Sequence, residues 1–165
     1  MTQLSEKNFL KSGPKSMLCI DYGTRVTGLA IYMQGKDPYP LPFGRIVYKG
    51  DSALIEEIKK LISSEDIDLI ILGIPYLTDG QPTKMTQKIL EFSERWKKEV
   101  PRTPLFLQDE TLSTFEAKER MKQLPQYNFK VDLKRVDELA ASIILEAFLE
   151  KLTLISQTES SILDA

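Results

Sequence analysis

The chain has 165 residues, of which 42% are hydrophobic and 28% charged, and its net charge is −2. One ordinary domain has this length and can bury a core without disulfides. Because Cys19 is the single cysteine, the chain cannot form an intrachain disulfide. The absence of histidine excludes Ser-His-Asp triads and His-based zinc sites. The negative net charge excludes a surface that is basic throughout.

Apolar runs predict five strands, at residues 17–20, 28–33, 45–48, 67–74 and 105–107. Helical spacing predicts four helices, which begin at Ser52, Thr83, Ser113 and Val136. Ser113 and Glu116 form a predicted capping box. The resulting order, βββαβαβαα, predicts an α/β fold in which helices cover a mixed sheet.

The two ends of the chain carry little core pattern. We predict a flexible leader over residues 1–16, one domain over 17–152, and a tail over 153–165 in which the last helix has frayed. The leader lacks the apolar region of a signal peptide, and no stretch is long and apolar enough to span a membrane. These features predict a cytoplasmic protein without a membrane partner.

Acidic residues occur where predicted elements end or begin. Asp21 ends the first strand, Asp109 and Glu110 follow the fifth, and Asp137 starts the last helix. Because the carboxyl ends of strands gather at one rim of an α/β sheet, we expect these side chains to converge. Converging carboxylates repel unless a cation lies between them, so the pattern predicts a site for Mg²⁺ or Mn²⁺ that could hydrolyse a phosphodiester.

Each acid also has a simpler interpretation. Asp21 could form a turn, Asp137 could cap the last helix, Asp109 could cap a loop amide, and Glu110 could be solvated. The segment 21–24, Asp-Tyr-Gly-Thr, is similar to the phosphate-binding turns of actin-like kinases, which leaves a nucleotide phosphotransferase as an alternative. The combination of the acids is more specific than any one of them.

Residues 118–135 contain six basic and two acidic side chains, with Tyr127 and Phe129 between them. This composition is typical of a loop that holds phosphates and stacks a base, although a solvated helix end would look similar. The basic residues are Lys118, Arg120, Lys122, Lys130, Lys134 and Arg135.

Four ordered motifs between Met17 and Leu152 resemble the YqgF/RuvX family, which is described both as Holliday-junction-resolvase-like proteins and as pre-16S rRNA nucleases. Segment 19–30 contains Cys-Ile-Asp-Tyr-Gly-Thr and Gly-Leu-Ala, and segment 72–80 contains Leu-Gly-Ile-Pro and Asp-Gly. Segment 108–117 contains Gln-Asp-Glu-Thr-Leu-Ser-Thr and Glu-Ala, and segment 136–145 contains Val-Asp-Glu-Leu-Ala-Ala and Ile-Leu.

The resemblance implies a ribonuclease-H-like fold, with a five-stranded mixed sheet flanked by helices. It also implies that Asp21, Glu110 and Asp137 are the catalytic, metal-binding acids, and we add Asp109 as a candidate fourth ligand. It further implies maturation of the 5′ end of 16S rRNA in the bacterial cytoplasm, with resolution of four-way DNA junctions as the alternative. We expect the nucleic-acid backbone to contact Thr24, Arg25, Lys130, Lys134 and Arg135.

Two positions depart from the family pattern. Val26 and Thr111 replace residues that are usually basic in the family, which removes two expected phosphate contacts beside the acids. This departure favours a further alternative, a non-catalytic RNA-binding factor. The residues do not distinguish RNA from DNA, nor a monomer from a homodimer.

Overall fold

The computed structural model describes residues 3–13, 15–76 and 79–164, and it has the predicted α/β architecture. The strands within this part are β1 Ser16–Asp21, β2 Val26–Met33, β3 Leu41–Val47, β4 Leu69–Ile74 and β5 Leu105–Asp109. The helices are α1 Gln3–Lys11, α2 Asp51–Glu65, α3 Lys84–Glu99, α4 Ser113–Met121 and α5 Val136–Leu163, and a short 3-10 turn covers Pro125–Tyr127.

The five strands form one mixed sheet in the order β3-β2-β1-β4-β5. The antiparallel pairs β1–β2 and β2–β3 form a meander of the first three strands, and β1, β4 and β5 are parallel. All six residues of β4 are buried, as its continuous apolar sequence predicts for a strand covered on both faces. The carboxyl ends of β1, β4 and β5 therefore meet at one rim.

Alternating side chains of the strands supply two cores. On one face, residues such as Leu18 and Leu72 pack with Phe92 and Trp96 of α3. On the other face, the residues between them, such as Cys19 and Ile71, pack against α5. Burial raises the pKa of the Cys19 thiol, so this residue is the small buried hydrophobe that its apolar surroundings predict.

The ends of the chain are more ordered in secondary structure than the sequence predicts. Residues of the predicted leader form α1, and α5 continues through the predicted tail to Leu163. Phe9 and Leu10 pack against the core under α5, and Lys11 pairs with Glu159 at 2.5 Å. These contacts stabilise both helical ends, whereas the proposed domain boundaries remain a prediction.

Strand β3 begins at Leu41 and includes Pro42, whereas the sequence predicts that the third strand begins at residue 45. Proline lacks a donor N–H, but an edge strand has one unpaired side on which this donor is not needed.

No helix in the described residues is long and apolar enough to cross a membrane.

The predicted cap of α4 is wrong, and so is the alternative interpretation of Asp137 as a helix cap. The N-cap of α4 is Leu112, at φ 69°, and no side chain caps that helix, because Ser113 already lies inside the first turn. A capping box is present instead at α3, where Thr83 and Thr86 exchange hydrogen bonds. The N-cap of α5 is Arg135, so Asp137 is not the cap of the last helix.

Candidate active site

Asp21 is the last residue of β1, and Glu110 directly follows β5. The Glu110 N–H donates to the Ile74 carbonyl at 3.1 Å, which extends the β4–β5 pairing by one residue. The side chain of Glu110 then turns back over Gly73 of β4, where a Cβ atom would lie 2.8 Å from its Oε2. The Asp21 and Glu110 carboxyl groups lie within reach of each other, and each shifts the pKa of the other, so two acids from different strands lie side by side.

Asp137 reaches the same rim on the first turn of α5. Its backbone lies directly over Gly28 of β2, where a Cβ atom would be 2.1 Å from the Asp137 carbonyl oxygen. Gly28 is the cross-strand partner of Asp21. The close approach of helix to sheet at this glycine brings Asp137 near enough to Asp21 for its negative charge to act on that carboxyl.

The three acids share an environment that disfavours their charged forms. Burial raises the pKa of Asp21, and the charge of Asp137 adds to the rise, although the hydrogen bond from Glu110 opposes it. Burial also raises the pKa of Glu110, and the charge of Asp21 adds to that rise. Partial burial raises the pKa of Asp137, with Arg45 and Lys118 acting in the opposite direction. A cation bound here would relieve this repulsion.

The donor set fits a hard divalent cation, because it consists of carboxylate oxygens. The space over Gly73, which a Cβ atom would fill, is occupied by the Glu110 carboxylate. Within the described ranges, no group of three or more His, Cys, Asp or Glu residues is arranged to hold a metal. Asp21 and Glu110 thus lie side by side, and the side chains of the three acids have to adjust before all three can bind one ion.

Asp109 has a local structural role. Its carboxylate accepts hydrogen bonds from the N–H of Thr111 at 3.0 Å and from the Thr111 hydroxyl at 2.6 Å. The negative charge of Asp109 also raises the pKa of Glu110. The structure therefore brings Asp109 near the acids but engages it in the turn after β5, and its role as a fourth ligand stays a prediction.

Two basic residues lie near the acids in the structure: Arg45, which sequence reasoning missed, and Lys118, which is one of the basic residues of segment 118–135. Arg45 of β3 and Lys118 of α4 both act electrostatically on Asp137. They come from elements far apart in the chain, so no local pattern marks Arg45 as part of the site. Gly28 and Gly73 do have a sequence signal, because a glycine inside a buried strand often marks the close approach of another group.

The predicted nucleic-acid contacts differ in their surroundings. Thr24 and Arg25 are exposed in the turn between β1 and β2, and Lys130 and Lys134 are exposed before α5. The guanidinium of Arg135 lies 4.4 Å from the ring centroid of Tyr127. Arg135 also pairs with Glu138 at 3.3 Å, so this guanidinium already has two partners.

The two aromatic residues of segment 118–135, Tyr127 and Phe129, differ in their exposure to solvent. Tyr127 is 7% exposed and packs in a small core between α4 and α5, which excludes it as a surface for stacking bases. Phe129 is 60% exposed, and its φ of 56° lies in the left-handed region. Only Phe129 of this pair is thus accessible to a nucleic acid.

Comparison with known proteins adds an independent line of argument. Residues 15–151 match the family model of RuvX, described as Holliday junction resolvase. The chain belongs to the RuvX family. A relative of this RuvX member from Maridesulfovibrio salexigens is 31% identical over 138 residues, which cover 82% of this chain and 98% of the relative. A second, from Shewanella oneidensis, is 32% identical over 136 residues, which cover 82% and 94% of the two chains. Both are named as candidate pre-16S rRNA nucleases.

Solved structures show the same fold for this RuvX member. RuvC of Thermus thermophilus in complex with a Holliday junction matches with a TM-score of 0.53 at 11% identity, covering 83% of this chain and 96% of RuvC. The yeast mitochondrial Holliday junction resolvase Ydc2 matches with a TM-score of 0.51 at 13% identity, covering 95% and 89% of the two chains. These likenesses confirm the ribonuclease-H-like fold predicted from the resemblance.

Proposed function

We propose that this RuvX member is a divalent-metal-dependent nuclease that processes the 5′ end of pre-16S rRNA. The observation that carries the proposal is the meeting of Asp21 and Glu110 beside Asp137 at one rim of the sheet. The names of the relatives, as candidate pre-16S rRNA nucleases, support the substrate. Since a bacterial rRNA precursor is a cytoplasmic molecule, the proposal includes the cytoplasm as its location.

In this proposal the acids hold one or two Mg²⁺ or Mn²⁺ ions. A bound ion would neutralise charge on the phosphate and activate the attacking water. All three acids are half-buried, and Asp21 and Glu110 are close enough to shift each other's pKa. Arg45 and Lys118 are near enough to Asp137 to oppose the rise in its pKa, so these two cations are suited to hold the phosphate that is cut.

The remaining basic residues would position the nucleic-acid backbone away from the reacting phosphate. Thr24 and Arg25 flank Asp21 in sequence, and Lys130 and Lys134 precede α5, which carries Asp137. Arg135 can contribute only if it exchanges Glu138 for a phosphate. Such contacts fix the register of the substrate without reading its sequence.

The test is Mn²⁺- or Mg²⁺-dependent cleavage of a 16S precursor end by the wild-type chain and by Asp21→Asn. We expect the substitution to lower the cleavage rate by at least about 100-fold with the fold intact, because it removes a buried ligand charge. A matched control is Asp66→Asn, at the exposed left-handed C-cap of α2, where asparagine is well tolerated. Equal cleavage by Asp21→Asn and wild type would refute the site.

A second candidate substrate is the four-way DNA junction, which the description of the matching family favours. Cleavage of both substrates should be measured side by side, with the oligomeric state determined in parallel, because a junction resolvase needs two symmetric active sites.

Binding of structured RNA without cleavage in Mn²⁺ would instead support a non-catalytic factor. Stabilisation by ATP with Mg²⁺ would support the phosphotransferase alternative.

A further inference from the structure

A groove with a volume of about 680 Å³ follows the outer side of β5. Its lining includes Trp96 and Leu105, which belong to the core on one face of the sheet, and Phe106 and Phe148, which belong to the core on the other face. A groove that reaches both faces lies across the edge of the sheet. Strand β5 forms that edge, since β4 is its one partner among the described strands.

The backbone of β5 presents unpaired groups to this groove. The Ile70 N–H donates to the Pro104 carbonyl at 2.9 Å, and the Glu110 N–H donates to the Ile74 carbonyl at 3.1 Å. In a parallel pair of strands, every second residue directs its backbone N–H and C=O groups toward the neighbouring strand. These two hydrogen bonds therefore show that the even-numbered residues of β5 bond to β4. Leu105 and Leu107 therefore direct their N–H and C=O groups outward, where an additional strand could bond.

The two edges of the sheet differ in how they are protected. Edge strand β3 contains Pro42 and Arg45, pairs with a register shift, and donates its Gly44 N–H to Glu138 at 2.6 Å. These features discourage pairing with another chain. Strand β5, Leu-Phe-Leu-Gln-Asp, has no lysine and no proline, and Leu107 is 36% exposed. The open edge at β5 is thus suited to strand addition.

Part of the groove is built by chain segments outside the match to the family. Glu6, Lys7 and Leu10 of α1 lie before the matched residues 15–151, and Leu152 and Ile155 of α5 lie after them. Lys7 and Lys11 both lie within ion-pair distance of Glu159, so the two segments are neighbours in this wall. One wall of the groove therefore lies outside the region that matches the family.

The groove is basic although the chain as a whole carries a net charge of −2. Lys7, Lys97 and Lys151 contribute to its lining, against one acid, Glu6. Lys7 pairs with Glu159 at 3.6 Å and Lys97 with Glu94 at 3.1 Å, and these lysines are half or more exposed. Exposed pairs of this kind contribute little and can exchange with an incoming carboxylate.

We propose that the groove binds an extended segment of a partner protein with alternating acidic and apolar side chains, which adds a strand to β5. Main-chain hydrogen bonds to Leu105 and Leu107 would supply affinity, the apolar side chains would cover the groove, and the acids would pair with the lysines. A second copy of this chain fits less well, because pairing β5 with β5 would bring two basic linings together. The proposal is independent of the nuclease site.

The test uses the full chain and a blocked, strand-forming peptide of alternating glutamate and valine, with a lysine–valine peptide as the control. We expect the acidic peptide to shift the backbone amide resonances of 105–109 and the indole resonance of Trp96, whose Nε1 donates to the Thr103 carbonyl at 3.0 Å. This chain has one tryptophan, so the indole signal is unambiguous.

Charge reversal provides the matched comparison. The double variant Lys97→Glu/Lys151→Glu should weaken the acidic peptide by roughly tenfold and strengthen the basic one, whereas Lys59→Glu/Lys60→Glu on α2 should change neither. Nucleic-acid cleavage should be equal in both variants. The proposal is overturned if the acidic peptide produces no shifts, if its shifts lie outside the groove, or if the lysine peptide binds with equal affinity. It is also overturned if dilution of the protein without peptide reproduces the shifts, because a second copy of the chain would then be the occupant.

Discussion

At the scale of single residues, Gly73 provides the space in which the Glu110 carboxylate lies. We expect Gly73→Ala to lower the affinity for Mn²⁺ by about tenfold and the free energy of unfolding by about 1–3 kcal/mol. The reason is that the new Cβ would lie 2.8 Å from both Glu110 Oε2 and Ile144 Cδ1. Calorimetric titration and urea unfolding measure the two effects.

A suitable control is Gly35→Ala, in the turn after β2. Gly35 has a φ of +82° and nothing within 4 Å of a new Cβ, so alanine there is strained but unobstructed. We expect a comparable loss of stability, about 1 kcal/mol, with unchanged Mn²⁺ affinity. Equal Mn²⁺ affinity in Gly73→Ala and Gly35→Ala would show that the glycine does not position Glu110.

The contact between Asp21 and Glu110 also makes a prediction about the metal-free protein. Burial and the negative charge of Asp21 both raise the pKa of Glu110, so ionisation of this carboxyl group is less favourable in the folded protein than in the unfolded chain. Glu110→Gln should therefore raise the free energy of unfolding in EDTA by on the order of 1 kcal/mol, and abolish stabilisation by added Mn²⁺. Thermal unfolding with EDTA or Mn²⁺ tests this, with the exposed Glu150→Gln as control. A lower midpoint than wild type in EDTA would contradict the interpretation.

At the scale of elements, the helix caps differ from those that the sequence motif predicts. Thr83 accepts a hydrogen bond from the Thr86 N–H, and the Thr86 hydroxyl accepts one from the Thr83 N–H. Thr83→Ala should lower the free energy of unfolding by about 1 kcal/mol. Ser113→Ala should cost less, because no side chain caps α4. Urea unfolding of the two variants would reveal the opposite ranking if Ser113 were the cap.

The packing of α5 on β2 explains why the start of the last helix was predicted from its own sequence, whereas its position over the sheet was not. Its apolar periodicity is a local property, and α5 begins at Val136 as predicted. Its position over the sheet depends on Gly28, which lets the Asp137 backbone approach β2. Helical periodicity contains no information about which strand the first turn meets.

At the scale of the whole molecule, a chain with a net charge of −2 has to bind a polyanion through a local surface. In an Asp21→Asn background, we expect nucleic-acid affinity to fall steeply with salt. The pair Lys130→Gln/Lys134→Gln should reduce the slope of log K against log salt concentration by about 1.4 for a single strand and about 1.8 for a duplex, because two phosphate contacts are lost. Fluorescence anisotropy at several salt concentrations measures the slope.

The matched control for this measurement is Lys59→Gln/Lys60→Gln. These lysines lie on α2, which packs on the sheet face opposite to α5, and they pair with Glu56 and Glu57. They should leave the slope unchanged. An equal change in both double variants would indicate that binding depends on overall charge and not on the loop before α5.

Much of the architecture was predictable because it depends on local patterns. The mixed sheet, its five strands and the helices from α2 to α5 follow from runs of apolar residues with strand or helix periodicity. The exceptions lie where distant contacts override the local pattern. Helix α1 is stabilised by the core under α5, and β3 extends through Pro42 because it is an edge strand.

The sequence by itself determined which chemistry is available: without histidine, and with acids at the ends of predicted strands, a metal site has to be built from carboxylate oxygens. Only the tertiary structure decided which groups meet. Asp21 contacts Glu110 across β4, Arg45 and Lys118 act on Asp137, and α1 and the end of α5 form a groove along β5. Contacts between residues so far apart depend on how whole elements pack, and that packing has no signature in any one segment of the chain.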